Sequence, residues 1–246
     1  MRLEGRAALV TGASRGLGRA LSAALAAEGM RVAMVARGEQ ALERAAEEIR
    51  AAGGAAFAIP GDVSDKWAAH GIAGAAAAVA GPIDLLVNGA SQLGPTPLPL
   101  LLDTECEDLQ RVLEANVVGP FRLAKIVAGA MLVRGGGAIV NVSSDAAVVP
   151  YPRWGAYGVS KAALDHLTRI WAAELEGAGV RMISVDPGEM DTQMHAEAVP
   201  DADRAALKRP ETSAAQIVAL LRRLESLPAG ARVEASSVEI PAEVRP

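Results

Sequence analysis

Apolar and polar positions along this chain fall into blocks of two kinds. Short aliphatic runs of four to six residues recur between longer segments rich in Ala, Leu, Glu and Arg, the pattern of parallel strands crossed by helices. Strands are predicted at Ala7–Val10, Arg31–Ala36, Ala55–Ile59, Ile83–Asn88, Ala138–Ser143 and Val180–Val185. Between them, helices are predicted at Leu17–Glu28, Gln40–Ala52, Lys66–Val79, Glu107–Ala115, Val117–Val133 and Ala156–Leu175. Alanine carries much of the helical signal: it has the highest helix propensity and little side chain to obstruct close packing on a sheet. Gly53-Gly54, Gly81-Pro82, Gly135-Gly136-Gly137 and Gly177–Gly179 fall where helices should stop, consistent with glycine's tolerance of left-handed backbone.

The alternation predicts an α/β fold, a doubly wound parallel sheet in three layers, with no linker dividing the chain and hence a single domain over residues 1–246. Past Thr192 the pattern weakens. Met194–Arg209 mixes acids, bases and proline and reads as a mobile lid within a covering segment at 189–212, and Ser213–Leu227 reads as one last amphipathic helix. In the tail, Pro228–Pro246, a weak strand signal near Arg232–Ala235 is all that can be read.

Composition narrows the function. The 246 residues are 51% apolar, enough to bury one sizeable core. A net charge of −5 leaves no basic face, so nucleic acid and anionic membrane surfaces are poor partners and a small molecule is the better one. The lone Cys106 allows no intrachain disulfide, and Glu4 and Arg6 interrupt the apolar stretch a signal peptide would need, which reads as a cytoplasmic protein. The longest uncharged run, Leu85 to Leu102, is broken by Asn88, Gln92 and three prolines, so no membrane span is expected. His70, His166 and His195 are scattered without ligand spacing, and no metal site is expected.

Two constellations carry chemistry. Thr11-Gly12-Ala13-Ser14-Arg15-Gly16-Leu17-Gly18 links the first strand directly to a helix, where unpaired N–H groups and the helix dipole attract phosphate. Gly12 would permit the tight turn, Gly16 the approach of a pyrophosphate and Gly18 helix-on-strand packing. The second is Tyr157-Gly158-Val159-Ser160-Lys161, a phenol and an ammonium four residues apart on one helix face. A phenol titrates near 10, so proton transfer near neutrality calls for an adjacent positive charge. Lys161 and a cationic nicotinamide ring could supply it.

These motifs, with Asp62-Val63, Val87–Ser91, Asn116, the run ending at Ser144 and Pro187-Gly188-x-x-x-Thr192, follow the order and spacing of the compact short-chain dehydrogenases/reductases, which the chain resembles from about Leu3 to Thr192. The resemblance implies a Rossmann-like fold in which Tyr157 exchanges a proton with the substrate oxygen while Lys161 lowers its pKa and holds the nicotinamide ribose. It also implies that Ser144 hydrogen-bonds that oxygen, and that Asn116 shapes the middle of a helix and holds a water leading to Lys161; read by itself, Asn116 would be a helix cap. Ser143 should point away on an alternating strand.

For the cofactor, the resemblance implies binding by Gly12, Ser14, Arg15, Gly16, Leu17, Gly18, Asp62, Val63, Asn88, Gly89, Ala90, Tyr157, Lys161, Pro187, Gly188 and Thr192. The position after the second strand, where an acidic residue selects NAD, holds Ala36 followed by Arg37. With Arg15 this offers two guanidiniums to a 2′-phosphate, so NADP(H) is the expected cofactor.

Two departures stand out. Asn88-Gly89-Ala90-Ser91 replaces the usual Asn-Asn-Ala-Gly, which removes no reacting group. The tail lacks the family's Asp-Gly-Gly ending, which bears on its tetramer contacts; a homodimer through Val117–Val133 and Ala156–Leu175, or a homotetramer, is expected. Glu189, Asp191 and His195 stand at the lid entrance, and Trp154 lies between Ser144 and Tyr157, where it lines the pocket or packs in the core. The expected activity is hydride transfer between NADPH and a carbonyl or alcohol. The alternatives are a catalytically silent NADP(H) sensor, for which a proton-transfer pair has no use, and a nucleotide-sugar epimerase, for which too little chain follows Thr192.

Overall fold

A computed structural model gives the fold and describes residues 1–239; the end of the tail, 240–246, lies outside the described residues. Among them, seven strands form one parallel sheet in the order β3-β2-β1-β4-β5-β6-β7. The strands are β1 (Ala7–Thr11), β2 (Arg31–Ala36), β3 (Ala55–Pro60), β4 (Ile83–Asn88), β5 (Gly137–Val142), β6 (Val180–Asp186) and β7 (Arg232–Glu234). The helices are α1 (Gly16–Ala27), α2 (Glu39–Ala51), α3 (Ala68–Ala80), α4 (Cys106–Leu113), α5 (Gly119–Arg134), α6 (Gly155–Glu174), α7 (Gln193–Ala198) and α8 (Pro210–Arg222). This is the Rossmann-like three-layer fold that the alternation predicts.

Side-chain alternation along the strands splits the core in two. Ala8 and Val10 of β1 pack with Leu21, Leu25 and Ile217 from α1 and α8. Ala7 and Leu9 face the other way, onto Ile72, Leu123 and Val127 from α3 and α5. The chain winds outward from β1 to β3 and then crosses back to β4. The crevice opened by that reversal lies at the carboxyl ends of β1 and β4, where ligands of open α/β sheets bind.

Four elements differ from the sequence reading, each for a local reason. The two helices expected on either side of Asn116 are one continuous run, joined by a π-helical turn at Glu114–Val118. Pro120 has no N–H to donate to the Asn116 carbonyl, so a regular helix cannot pass there and the turn widens. α3 begins at Ala68, two residues later than expected, because Asp65 Oδ1 accepts the Trp67 N–H and closes a separate turn. α8 begins at Pro210 and ends at Arg222, followed by a short 3₁₀ turn at Leu224–Ser226; proline suits a first helical position. The covering segment, for which no regular element was expected, contains one: α7 is capped by Thr192, and Met190 bridges Lys208.

The run Cys106–Arg134 is long and apolar enough to cross a membrane by length and composition. Here its inner residues Leu123, Val127 and Met131 are buried against the sheet. It is a core helix.

One buried polar chain crosses the sheet. Asn88 Nδ2 donates to Asn141 Oδ1 at 2.8 Å, and Asn141 Nδ2 donates to Thr168 Oγ1 at 2.8 Å, joining β4, β5 and α6. Asn141→Ala removes the shared partner and leaves the Asn88 amide and the Thr168 hydroxyl buried without it. A loss of about 3 kcal/mol follows, to be read from urea midpoints; a change below about 1 kcal/mol would show that the chain is not structural.

Candidate active site

The glycine loop is built by close approach. The Thr11 hydroxyl accepts the N–H groups of Gly89 and Ala90 at 3.0 and 3.1 Å, so the ends of β1 and β4 lie side by side. Gly12 has φ +71, and a Cβ there would stand 2.9 Å from the backbone of Gly89 and Ala90. A Cβ on Gly18 would overlap the Gly12 carbonyl oxygen. Glycine at both positions lets α1 start directly below the turn. α1 has no capping side chain at Arg15 and no acidic residue in its first turn, so its leading N–H groups are left for an anion. A pyrophosphate fits that terminus.

A cavity of about 970 Å³ runs from this loop to the phenol. Its wall includes Gly12, Ser14, Arg15, Gly16, Leu17, Gly18, Arg37, Asp62, Val63, Gly89, Ala90, Tyr157, Lys161, Pro187 and Thr192. Arg15 and Arg37 are exposed at the loop end. Asp62 uses Oδ1 to accept the Ser64 N–H and hydroxyl at 2.9 and 2.6 Å.

Two expected cofactor residues stand apart from this wall. The Asn88 side chain is buried in the sheet on Asn141, its register partner in β5, so it braces the wall from behind. Gly188 has φ +72 and makes room for Lys208, whose Nζ donates to the Pro187 carbonyl at 2.8 Å; its freedom serves the covering segment.

At the far end Tyr157 is buried, with Lys161 Nζ 5.5 Å from its ring centroid. Lys161 is 2% exposed and donates to the Val142 carbonyl at 2.7 Å. Ser144 stands beside the phenol; its hydroxyl donates to Asp145 Oδ1 at 2.9 Å. Ser143 forms part of the cavity wall, but its hydroxyl is buried without a partner. Asn116 sits inside the π turn, fully buried, and not at a cap. Its amide clamps Gln92 through Oδ1 (2.7 Å) and Nδ2 (2.8 Å) and donates to Ser160 Oγ at 2.9 Å. The side chain therefore ties the loop after β4 to α6, one residue from Lys161.

The protein's own groups do not, on balance, lower the phenol's pKa. Burial pushes Tyr157 up to about 12, and the nearby Ser144 and Ser91 hydroxyls offset only part of that. Burial likewise pushes Lys161 down to about 8 against the opposing pull of Asp165 and Asp186. Desolvation is the largest cause for both groups, and near neutrality Tyr157 holds its proton.

An apolar cluster backs the phenol. Leu93, Leu98 and Ala146 are buried with Tyr157, and Trp154, Met194 and Ala198 pack on them. Trp154 meets Tyr157 edge to face at 5.7 Å. His195 Nε2 lies 3.7 Å from Glu189 Oε1, and Asp191 pairs with Arg204 at 2.7 Å. Both charged contacts lie in the covering segment.

The match with known proteins follows the same outline. The family model for short chain dehydrogenases covers residues 6–203. The chain belongs to the short-chain dehydrogenase family. It is 42% identical over 199 residues to a short chain dehydrogenase of Pseudocercospora fijiensis, covering 79% of this chain and 62% of that one; the match thus spans less than two thirds of that relative. To galactitol 2-dehydrogenase (L-tagatose-forming) of Cereibacter sphaeroides it is 40% identical, over 78% of this chain and 74% of the other. A 7 alpha-hydroxysteroid dehydrogenase solved with NADH and 7-oxo glycochenodeoxycholic acid superposes with a TM-score of 0.88 at 28% identity, over 98% and 97% of the two chains. Proteins of this family bind a nicotinamide cofactor.

Four residues of this short-chain dehydrogenase site were not found from sequence. Ser91, at the position where the motif departs from its family, lines the cavity beside the phenol with its hydroxyl buried and lacking a regular hydrogen bond. Only its departure from the motif marked it. Asp165, Asp186 and Arg232 form a buried ion cluster behind the lysine, and no local pattern announces it.

The burial of Lys161 sets a pH dependence. Its folded pKa is about 8 against an ordinary 10.5, so between those values the unfolded chain holds a proton that the folded chain has released. Stability therefore rises with pH across that window, by up to about 3 kcal/mol. Lys161→Met loses this rise. The stability difference between parent and variant should move by that amount in the parent's favour from below pH 8 to above pH 10.5 in paired urea titrations. A pH-independent difference would contradict the buried charge.

Proposed function

We propose that this protein is an NADP(H)-dependent oxidoreductase that interconverts a carbonyl and an alcohol, with Tyr157 as the proton-transferring residue. One observation carries the reading: a buried phenol with a buried ammonium and a serine hydroxyl beside it closes one end of a cavity whose other end is an uncapped helix terminus. When bound, the nicotinamide supplies or accepts the hydride.

This chain's residues would do the rest. Tyr157, protonated near neutrality, donates its proton to the substrate oxygen as that oxygen gains charge, which suits carbonyl reduction. The Ser144 hydroxyl steadies the same oxygen. Lys161, anchored on Val142, presents positive charge to the phenol and to a ribose hydroxyl. Asn116 keeps α6 in register with the loop after β4. Met194 on the cavity wall, with Leu98 and Trp154 packed behind the phenol, favours a substrate carrying hydrocarbon next to its carbonyl.

At the other end, Gly12, Ser14, Gly16, Leu17 and Gly18 would hold the pyrophosphate, and Asp62, Val63, Gly89 and Ala90 the adenosine. Pro187 and Thr192 would flank the nicotinamide. Arg15 and Arg37 would grip the 2′-phosphate that Ala36 does not repel. The hydroxysteroid dehydrogenase neighbour was solved with NADH, so this preference rests on the two arginines of this chain. A cytoplasmic homo-oligomer belongs to the same reading: α5 and α6 expose Phe121, Val159 and Ile170.

A spectrophotometric screen of hydrophobic ketones and aldehydes with NADPH and NADH in parallel tests the activity. Tyr157→Phe should lower turnover by about 10²- to 10⁴-fold with cofactor affinity unchanged; near-normal turnover in that variant would refute the proton role. Tight cofactor binding with no turnover of any compound would favour a sensor.

Cofactor preference has its own test. Arg37→Ala should weaken NADPH binding by about tenfold, and Arg15→Ala with Arg37→Ala by about a hundredfold, each charge-assisted contact contributing at least about 1.4 kcal/mol. NADH binding, measured by fluorescence, should stay within about twofold. Equal losses for both nucleotides would remove the argument for a 2′-phosphate site.

A further inference from the structure

The last described strand reaches into the site from behind. β7 pairs with β6 so that Arg232 lies opposite Ser184, and the guanidinium of Arg232 is mostly buried. Its Nη2 donates to Asp186 Oδ2 at 2.8 Å and to the Ser144 carbonyl at 3.0 Å. Its Nε donates to Asp165 Oδ2 at 3.1 Å. Glu234 Oε1 lies 3.7 Å from Nη1 at the exposed edge.

Each partner belongs to a different part of the site. Asp165 is on α6, four residues after Lys161 and therefore on the same helix face. Asp186 ends β6, and its second oxygen accepts the Gly188 N–H at 2.9 Å, which shapes the turn after Pro187. Ser144 ends the run from β5, with its hydroxyl beside the phenol. One planar fork thus fixes the three segments on which Lys161, Pro187 and Ser144 are mounted, and its charge faces two buried carboxylates that would otherwise face only Lys161.

We propose that Arg232 is a positioning residue of the active site: by binding Asp165, Asp186 and the Ser144 carbonyl together, it sets the placement of Lys161 and Ser144 and balances the carboxylates behind Lys161. The inference rests on the proposed function only in taking the Tyr157–Lys161 pair as the reactive one, and its test needs no substrate or cofactor. The groups facing Lys161 are Asp165 and the Tyr157 phenol on α6, Asp186 on β6 and the Val142 carbonyl on β5, with Arg232 on β7 behind the two carboxylates and Asp145 acting on the phenol.

The full chain has four lysines, Lys66, Lys125, Lys161 and Lys208, so lysine labelled with ¹³C at Cε gives a spectrum simple enough to titrate, with Lys161 assigned from its absence in Lys161→Met. In Arg232→Met the two carboxylates lose their shared cation, and the Lys161 titration should move up by about one pH unit. In Asp165→Asn one carboxylate is gone, and it should move down. Combining the two substitutions should return it toward the parent value, and Arg232→Lys, which keeps the charge, should leave it near the parent.

A merely structural role would lower melting temperature in these variants without moving Lys161 in opposite directions. An unchanged titration in Arg232→Met, or shifts of the same sign in Arg232→Met and Asp165→Asn, would overturn the proposal. If Arg232→Met fails to fold, Asp165→Asn and Arg232→Lys decide it: a downward shift in the first and a parent-like value in the second uphold the role, and any other result rejects it. Loss of turnover with these titrations as expected would leave the inference standing, and failed titrations with turnover intact would sink it alone.

Discussion

The Lys161 ammonium donates to the Val142 carbonyl at 2.7 Å with the residue almost wholly out of water, and a charge held there must be answered from inside the protein. The answer is layered. Asp165 and Asp186 supply negative charge, and Arg232 keeps that negative charge from being excessive. The same hydrogen bond ties α6 to the end of β5, so the group that needs the neighbours also fixes where they stand. Tyr157, one turn earlier on α6, inherits this placement.

The cleft itself is a product of topology. Reversal of strand order between β1 and β4 leaves their carboxyl ends without a crossing connection, and the Thr11 hydroxyl binds the two ends together across that gap. Gly12 and Gly18 then bring turn and helix closer than any side chain would allow. The result is asymmetric: one end of the cavity is open and carries exposed guanidinium, and the other is closed by a buried phenol among Ser91, Ser143 and Lys161 with an apolar cluster behind it. A ligand with a polyanionic part and a small reacting ring matches that asymmetry along its length.

What could be read from the sequence was whatever is encoded locally. Six of the seven strands and the helices α1, α2, α3 and α6 follow from periodicity, because each buries one stripe or one alternating face. The glycine loop and the Tyr157–Lys161 spacing are legible for the same reason: their geometry is set within eight residues. The ion cluster is not. Arg232 lies 67 residues from Asp165 and 46 from Asp186, and each looks locally like a solvated charge. β7, three residues long and half exposed, was legible only as the weak strand signal at Arg232–Ala235. The π turn at Asn116 was hidden because its cause, the missing N–H of Pro120, acts backward along a helix that propensity alone would break.

The raised pKa of Tyr157 resolves an apparent conflict between the two halves of the reaction. A base for alcohol oxidation must lose its proton near neutrality, whereas a donor for carbonyl reduction must keep it. In this site desolvation dominates and the proton is kept near neutrality. Lowering that pKa requires positive charge close to the phenol in a medium that screens it poorly. Lys161 Nζ stands 5.5 Å from the ring centroid, but its own depressed pKa of about 8 means that its charge weakens as pH rises. The carboxylates of Asp165 and Asp186 matter because they delay the loss of the lysine's charge.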